Sequence, residues 1–121
     1  MVEHGQNVFL SREIKDVKKY IDEHFPNAIN IRFLAELVFV SSTKLKKDFR
    51  KAYGKTLYEY LIHKRMAMAK SLLRESGADI STIAARCGYK THTAFTVAFK
   101  KHCNMLPKEY RLSAKQETTH N

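Results

Sequence analysis

The chain has 121 residues, 44% of them apolar, with seven Phe and six Tyr, which is enough for a core and excludes wholesale disorder. Its formal net charge of +10 points to polyanionic partners, nucleic acid before anionic membrane, and no apolar run approaches the roughly 18–20 residues of a spanning helix. The start MVEHGQNVFLSRE lacks the basic head and apolar stretch of a secretory signal, and two cysteines, Cys87 and Cys103, are too few for a zinc site, so the chain reads as cytoplasmic.

Two prolines and four glycines fall at boundaries and no window alternates as a strand does, so the expected fold class is all-α with about seven helices. Ser11 caps a first helix to about His24, with Ile14, Val17, Ile21 and Phe25 on one side. Asn30 caps a second helix, 31–38, that buries Leu34, Leu37 and Val38. Ser41 caps a third, 42–52, in which Leu45, Phe49 and Ala52 recur at the spacing of one buried face. On that helix Lys44, Lys46, Lys47, Arg50 and Lys51 are balanced by Asp48 alone, a surface made for an anion. Gly54 stands where a helix commonly ends left-handed.

Thr56-Leu57-Tyr58-Glu59 has the spacing of a capping box, in which hydroxyl and carboxylate each take an orphan backbone N–H. It opens a long fourth helix to about Glu75 that carries Leu57, Leu61, Met68, Ala69, Leu72 and Leu73, and Gly77 ends it. Ser81 is the expected cap of a fifth helix to Cys87, stopped by Gly88, and Thr91 caps a sixth, 92–102. Pro107 suits the first turn of a brief last helix ending near Leu112, and the tail SAKQETTHN is expected to fray. Both cysteines fall in apolar helical patterns, as small buried hydrophobes do.

An internal repeat organises these elements. LAELVFVSSTKLKKDFRKAYGKTLYEY lies over IAARCGYKTHTAFTVAFKKHCNMLPKEY, with one extra residue in the second turn. Ala35 then matches Ala84, Val38 matches Cys87, Leu45 matches Phe95, Phe49 matches Phe99, Gly54 matches Asn104 and Tyr60 matches Tyr110. Each copy is a short helix, a tight turn and a second helix, the helix-turn-helix unit whose second helix enters the DNA major groove. The domain plan is a lead-in 1–10, a first helix-turn-helix subdomain 11–55, a linker helix 56–76, a second subdomain 77–112 and a flexible tail 113–121. With Leu45 and Phe49 inward, Thr43, Lys46, Lys47 and Arg50 point out; with Phe95, Ala98 and Phe99 inward, Thr93, Thr96, Val97 and Lys100 point out. The first face is cationic and the second smaller and more neutral, where Val97 or a Thr methyl can touch a thymine methyl.

Two such units with KTLYEYLIHKRMAMAKSLL between them and GYKTHTAFTVAFKKHCNMLPKEYR at the end resemble the DNA-binding domain of AraC/XylS-type bacterial transcription regulators, over about residues 10–112. Gly88, the aromatic Tyr89, Phe95, Phe99, Lys100, Pro107, Tyr110 and Arg111 carry the most specific part of the likeness. The resemblance implies sequence-specific binding of double-stranded promoter or operator DNA, regulation of transcription initiation, contact with RNA polymerase, and a domain that is monomeric on its own. It implies two reading helices about 34 Å apart on one DNA face, with a bend of a few kcal/mol in the duplex. Carried over by position, the base-reading residues are Ser42, Thr43, Lys46 and Lys47 in the first unit and His92, Thr93, Thr96 and Val97 in the second. Arg50, Lys51, Thr91, Lys100 and Lys101, with the helix N-terminal amides near Ser42 and Thr91, would hold phosphates. Regulators of this family commonly join such a domain to one that senses a ligand or dimerises, so the chain is either a stand-alone short regulator or part of a longer one.

Three positions depart from the family pattern. Phe39 stands where the first turn usually has Gly; a left-handed Phe costs roughly 1–2 kcal/mol, so a reshaped turn is expected. Asn104 replaces a Gly, a mild change, and Leu106 replaces a capping hydroxyl, which leaves the last helix less firmly started. No cofactor, metal or catalysis is expected: glycine-rich phosphate loop, nucleophile elbow and acidic metal cluster are all missing, and His63, His92 and His102 share no ligand spacing. The alternative of another class is a helical protein-interaction module with non-specific DNA affinity.

Overall fold

A computed structural model describes residues 11–119, with side chains to Gln116, and among the described residues it contains seven helices and no strand. They are α1 (Arg12–His24), α2 (Ile31–Leu37), α3 (Ser42–Tyr53), α4 (Leu57–Glu75), α5 (Ile80–Arg86), α6 (His92–Cys103) and α7 (Pro107–Thr119). The all-α expectation with two helix-turn-helix units and a long connecting helix is what the chain adopts. Two compact units divide it between His63 and Lys64, inside α4 rather than at its ends. The lead-in 1–10 lies outside the described residues.

Caps account for most helix starts. The side chains of Ser11, Asn30, Ser41 and Thr91 accept backbone N–H groups of the first turns of α1, α2, α3 and α6. At α4 the box closes in both directions, Glu59 N–H to Thr56 Oγ1 at 3.0 Å and Thr56 N–H to Glu59 Oε1 at 2.8 Å. Leu106 offers no hydroxyl, yet Glu109 still takes the Leu106 N–H at 2.7 Å, so α7 begins on half a box and runs to Thr119, through the tail expected to fray. The cap of α5 is Asp79, whose Oδ1 accepts the Thr82 N–H at 2.8 Å; Ser81 is the second helical residue, because Asp competes as well as Ser for this role. α4 ends at Ser76, whose N–H and hydroxyl both reach the Leu72 carbonyl, and Gly77 is not left-handed.

The first unit packs Ile14, Val17 and Ile21 of α1, Leu34 and Ala35 of α2, Leu45 and Phe49 of α3, and Leu57 and Leu61 of α4 into one core. Leu37, expected inside, is 46% exposed. The packed face of α2 centres on Leu34, Ala35 and Val38, and at 100° per residue Leu37 lies roughly 110° round from it. In the second unit Met66, Ala69, Leu73, Ile83, Ala84, Cys87, Phe95 and Phe99 are buried, whereas Met68 and Leu72 reach only half-burial. Burial pushes the Cys87 thiol up to about 11, as for an apolar group, and both cysteines are free.

The two turns are built alike. In the first, Val38, Phe39 and Val40 donate to the carbonyls of Leu34, Glu36 and Ala35; in the second, Cys87, Gly88 and Tyr89 donate to those of Ile83, Ala85 and Ala84. Gly88 has φ +97° and Phe39, its counterpart, has φ +61° with its ring 93% exposed. The first turn is therefore not reshaped: the hydrogen bonds are kept and Phe takes the left-handed conformation. Gly54 and Asn104 likewise end α3 and α6 left-handed, at φ 73° and 63°.

After α3 and after α6 a tyrosine closes the unit. The ring of Tyr60 lies 5.8 Å from Phe49 and its hydroxyl donates to Asp22, which also receives Lys18 Nζ at 3.1 Å. The ring of Tyr110 lies 5.7 Å from Phe99 and its hydroxyl accepts from the Arg74 guanidinium at 2.6 Å. Arg111 then donates to the carbonyls of Leu73, Ser76 and Ala78 at 3.1, 3.2 and 2.7 Å, a cation holding the C-terminal end of α4 and the loop to α5.

Phe39→Gly relieves the left-handed side chain at the loss of little packing, and is expected to stabilise the first unit by about 0.5–1 kcal/mol, after the greater flexibility of unfolded Gly is deducted. Thermal unfolding checks it; an unchanged or lower midpoint would mean that the exposed ring packs in a way that offsets the strain. Arg111→Met leaves three carbonyls without their donor and is expected to cost about 2–3 kcal/mol in urea unfolding, where a loss under 1 kcal/mol would assign those carbonyls to water. The Thr56 N–H holds the Glu59 carboxylate below its ordinary pKa, and the Thr82 hydroxyl and N–H do the same for Asp79. Their folded values lie below the unfolded ones, so their stabilisation is present above about pH 4 and fades as the pH falls through the folded values. The Glu59→Gln, Asp79→Asn double variant is expected to lose less of its melting temperature than the parent between pH 5 and about pH 2.5, and equal losses would count against the two caps.

Candidate nucleic-acid interface

Each unit positions its second helix in three ways: a side-chain cap at its start, a left-handed residue at its end, and two buried aromatic or aliphatic anchors between. Leu45 and Phe49 anchor α3, and Phe95 and Phe99 anchor α6, all four fully buried. The residues between these anchors are turned away from the core by the 100° step of the helix.

On α3, Thr43, Lys46, Lys47, Arg50 and Lys51 are exposed and Ser42 is half-buried. Asp48, the lone carboxylate of the helix, is taken by Lys44 at 2.6 Å on the flank. Lys46 and Lys47 pair with no carboxylate among the described residues. Thr43, Lys46, Lys47 and Arg50 line one side of an open groove of about 590 Å³, and Thr56 and Tyr58 at the start of α4 line the other. The structure thus brings together four of the residues expected on the first face and adds Tyr58, which the sequence reading passed over. Its signal was present: Tyr58 falls outside the Leu57 and Leu61 period that α4 buries.

On α6, His92, Thr93, Val97, Lys100 and Lys101 are exposed, Val97 at 63%, and Thr91 is exposed with its oxygen on the Ala94 N–H at 3.0 Å. Thr96 departs from the expectation of an outward side chain. It is half-buried, and its hydroxyl oxygen is buried with no hydrogen-bond partner in the chain. At 100° per residue Thr96 is adjacent in angle to the buried Phe95 and Phe99, and a side chain as short as Thr stays on the shoulder of the packed face where Lys46, its counterpart on α3, extends past it.

The N–H groups of the first two residues of α3 and α6 have no intrahelical partner, which gives both reading helices a positive tip. Among the described residues no group of three or more His, Cys, Asp or Glu side chains is placed to hold a metal, and no helix is long and apolar enough to cross a membrane.

Residues 34–113 match the model of a family described as a helix-turn-helix domain. Among solved structures, the C-terminal domain of AraT, a response regulator from Geobacillus stearothermophilus, is 31% identical with a TM-score of 0.83, over 86% of this chain and 87% of that one. The DNA-binding domain of AdpA, a global transcriptional factor solved in complex with a target DNA, shares the fold with a TM-score of 0.84 at 23% identity, over 92% of this chain and 100% of that one. The bifunctional transcriptional activator/DNA repair enzyme AdaA of Bacillus subtilis is 30% identical over 105 residues, 87% of this chain and 50% of the relative. The chain spans 33% to 50% of the length of curated relatives of this kind. With two copies of the unit, a cationic reading helix and these likenesses, the chain belongs to the AraC-type helix-turn-helix family, the DNA-binding domains of transcription regulators.

Proposed function

We propose that this domain binds double-stranded DNA sequence-specifically through α3 and α6, each in its own major-groove segment, and so regulates transcription initiation without catalysis of its own. The observation that carries this reading is the duplicated unit with both second helices anchored from behind and open in front. Lys46 and Lys47, free of carboxylates, suit the O6 and N7 acceptors of guanine, and Ser42 and Thr43 suit bases of either kind. Arg50, Lys51, Lys100, Lys101 and the Thr91 hydroxyl suit phosphates, which supply most of the raw affinity and no sequence information. His92, Thr93 and Val97 form the more neutral reading face. Thr96 joins them only if its side chain rotates outward, where water or DNA would give its orphaned hydroxyl a partner.

In this reading one monomer recognises a non-palindromic site, because the two faces differ in chemistry, and bending of the duplex lets both helices engage. Contact with RNA polymerase and a place in the cytoplasm on the nucleoid belong to the same proposal. A pure protein-interaction module has little use for cations on both second helices.

Selection of sites from a randomised duplex library, at near-physiological salt, is expected to enrich two short boxes about ten base pairs apart. Lys47→Ala is expected to lower affinity for the enriched duplex about tenfold and to relax preference at one base pair of one box. Absence of enrichment, with binding abolished by added salt, would replace this reading with the interaction module.

A further inference from the structure

We propose that the groove beside α3 seats the sugar–phosphate backbone of one DNA strand, with Tyr58 as a further DNA-contacting residue and Lys108 as its counterpart in the second unit. This rests on the DNA-binding reading above. Tyr58 is the second residue of α4 and is 69% exposed, while its neighbours Leu57 and Leu61 are buried. The ring edges the rim of the core, yet most of its surface is left open. What the ring does border is the groove that Lys46, Lys47 and Arg50 line from the opposite side.

One wall of that groove carries Lys46, Lys47 and Arg50, the other carries Thr56, Leu57 and Tyr58, and Ile31 completes the lining. Charge complementarity selects a polyanion as its occupant, and the chemistry of the second wall selects a particular one. A deoxyribose presents an apolar face and a phosphate presents acceptor oxygens. A tyrosine matches both, with its ring against the sugar and its hydroxyl donating to the phosphate. The groove is continuous with Thr43, Lys46 and Lys47 on the base-reading face, so a strand whose bases meet α3 has its backbone close by.

The duplication supplies an independent argument. Glu59 and Glu109 take the N–H groups of Thr56 and Leu106 at 2.8 and 2.7 Å, so the helices that follow α3 and α6 share the carboxylate half of the capping box. The second helical residue is Tyr58 in one and Lys108 in the other, both exposed. A position that is filled by Tyr in one copy and Lys in the other, and is outside the core in both, has no common packing role. Both side chains donate a hydrogen bond to phosphate.

The test is fluorescence anisotropy on two duplexes, the one enriched by selection and a scrambled duplex of the same composition, across a range of salt. Tyr58→Ala is expected to weaken binding about tenfold on both duplexes, because backbone contacts carry no sequence information, and to leave the salt slope unchanged, because a neutral side chain releases no counterion. Tyr58 also edges a small apolar cleft with Ile29 and Leu61, so Tyr58→Phe, which keeps the ring there, is the second variant. It is expected to lose about threefold, from the hydroxyl alone. Lys108→Ala is expected to weaken binding to both duplexes and to lower the salt slope by about one. Tyr58→Ala binding within twofold of the parent, while Lys47→Ala is impaired, would overturn the proposal and leave the DNA-binding reading intact. A loss confined to the enriched duplex would overturn it in favour of base contact. Unimpaired binding by Lys47→Ala as well would remove the reading on which the proposal rests.

Discussion

The left-handed residue in each turn is the constraint on which the rest depends. A six-residue hydrogen-bonded turn, closed by Val40 N–H on Ala35 in one unit and Tyr89 N–H on Ala84 in the other, stops the first helix and sends the chain directly into the cap of the second. The direction of the reading helix, and hence which side chains stand out from the surface, follows from that reversal. The same bonds form whether the residue at the pivot is Gly88 or Phe39, which ranks the terms. Three backbone hydrogen bonds and the packing of Leu45 and Phe49 together outweigh roughly 1–2 kcal/mol of left-handed strain, and the turn holds its shape.

The duplication acts as an internal control on which residues serve the fold. Positions that are filled alike in both copies are structural: small Ala35 and Ala84 at the helix crossing, Phe49 and Phe99 beneath the reading helices, and Tyr60 and Tyr110 closing over them. Positions that differ without disturbing the backbone are released from that duty. Lys46 against Thr96, Lys47 against Val97, and Tyr58 against Lys108 are of this kind. The contrast gives the two units dissimilar exposed faces on one scaffold.

Closure of the two units is achieved by different means. In the first, Leu61 is buried and the polar tie is Tyr60 to Asp22, with Lys18 beside it. In the second, Arg111 occupies the equivalent position and gathers three carbonyls at the end of α4. One solution relies on apolar area and the other on charge-assisted hydrogen bonds to backbone carbonyls. The repeat does not reveal this difference, since its aligned stretches end at Tyr60 and Tyr110, one residue before Leu61 and Arg111.

Much of the fold was legible in the residues because it is local. A capping hydroxyl and the glutamate three residues on specify a helix start from within four residues, as at Thr56, and the apolar period of α1 or α3 specifies its buried face from within four turns. Local signals also failed where two candidates competed nearby, as with Asp79 over Ser81. Most of the outward face of α3 could be read from its wheel. Tyr58 could not be placed on the groove, and Thr96 could not be found on the shoulder of its helix, because both depend on neighbours distant in sequence. The sequence by itself determined helix content, most caps, the duplicated unit and its charge, all properties of short segments. The tertiary structure alone decided that a strained Phe39 would be tolerated, that Leu37 would lie outside the core, and that Tyr58 would face Lys46 and Lys47 across a groove, because each is settled by the balance among side chains that only packing brings together.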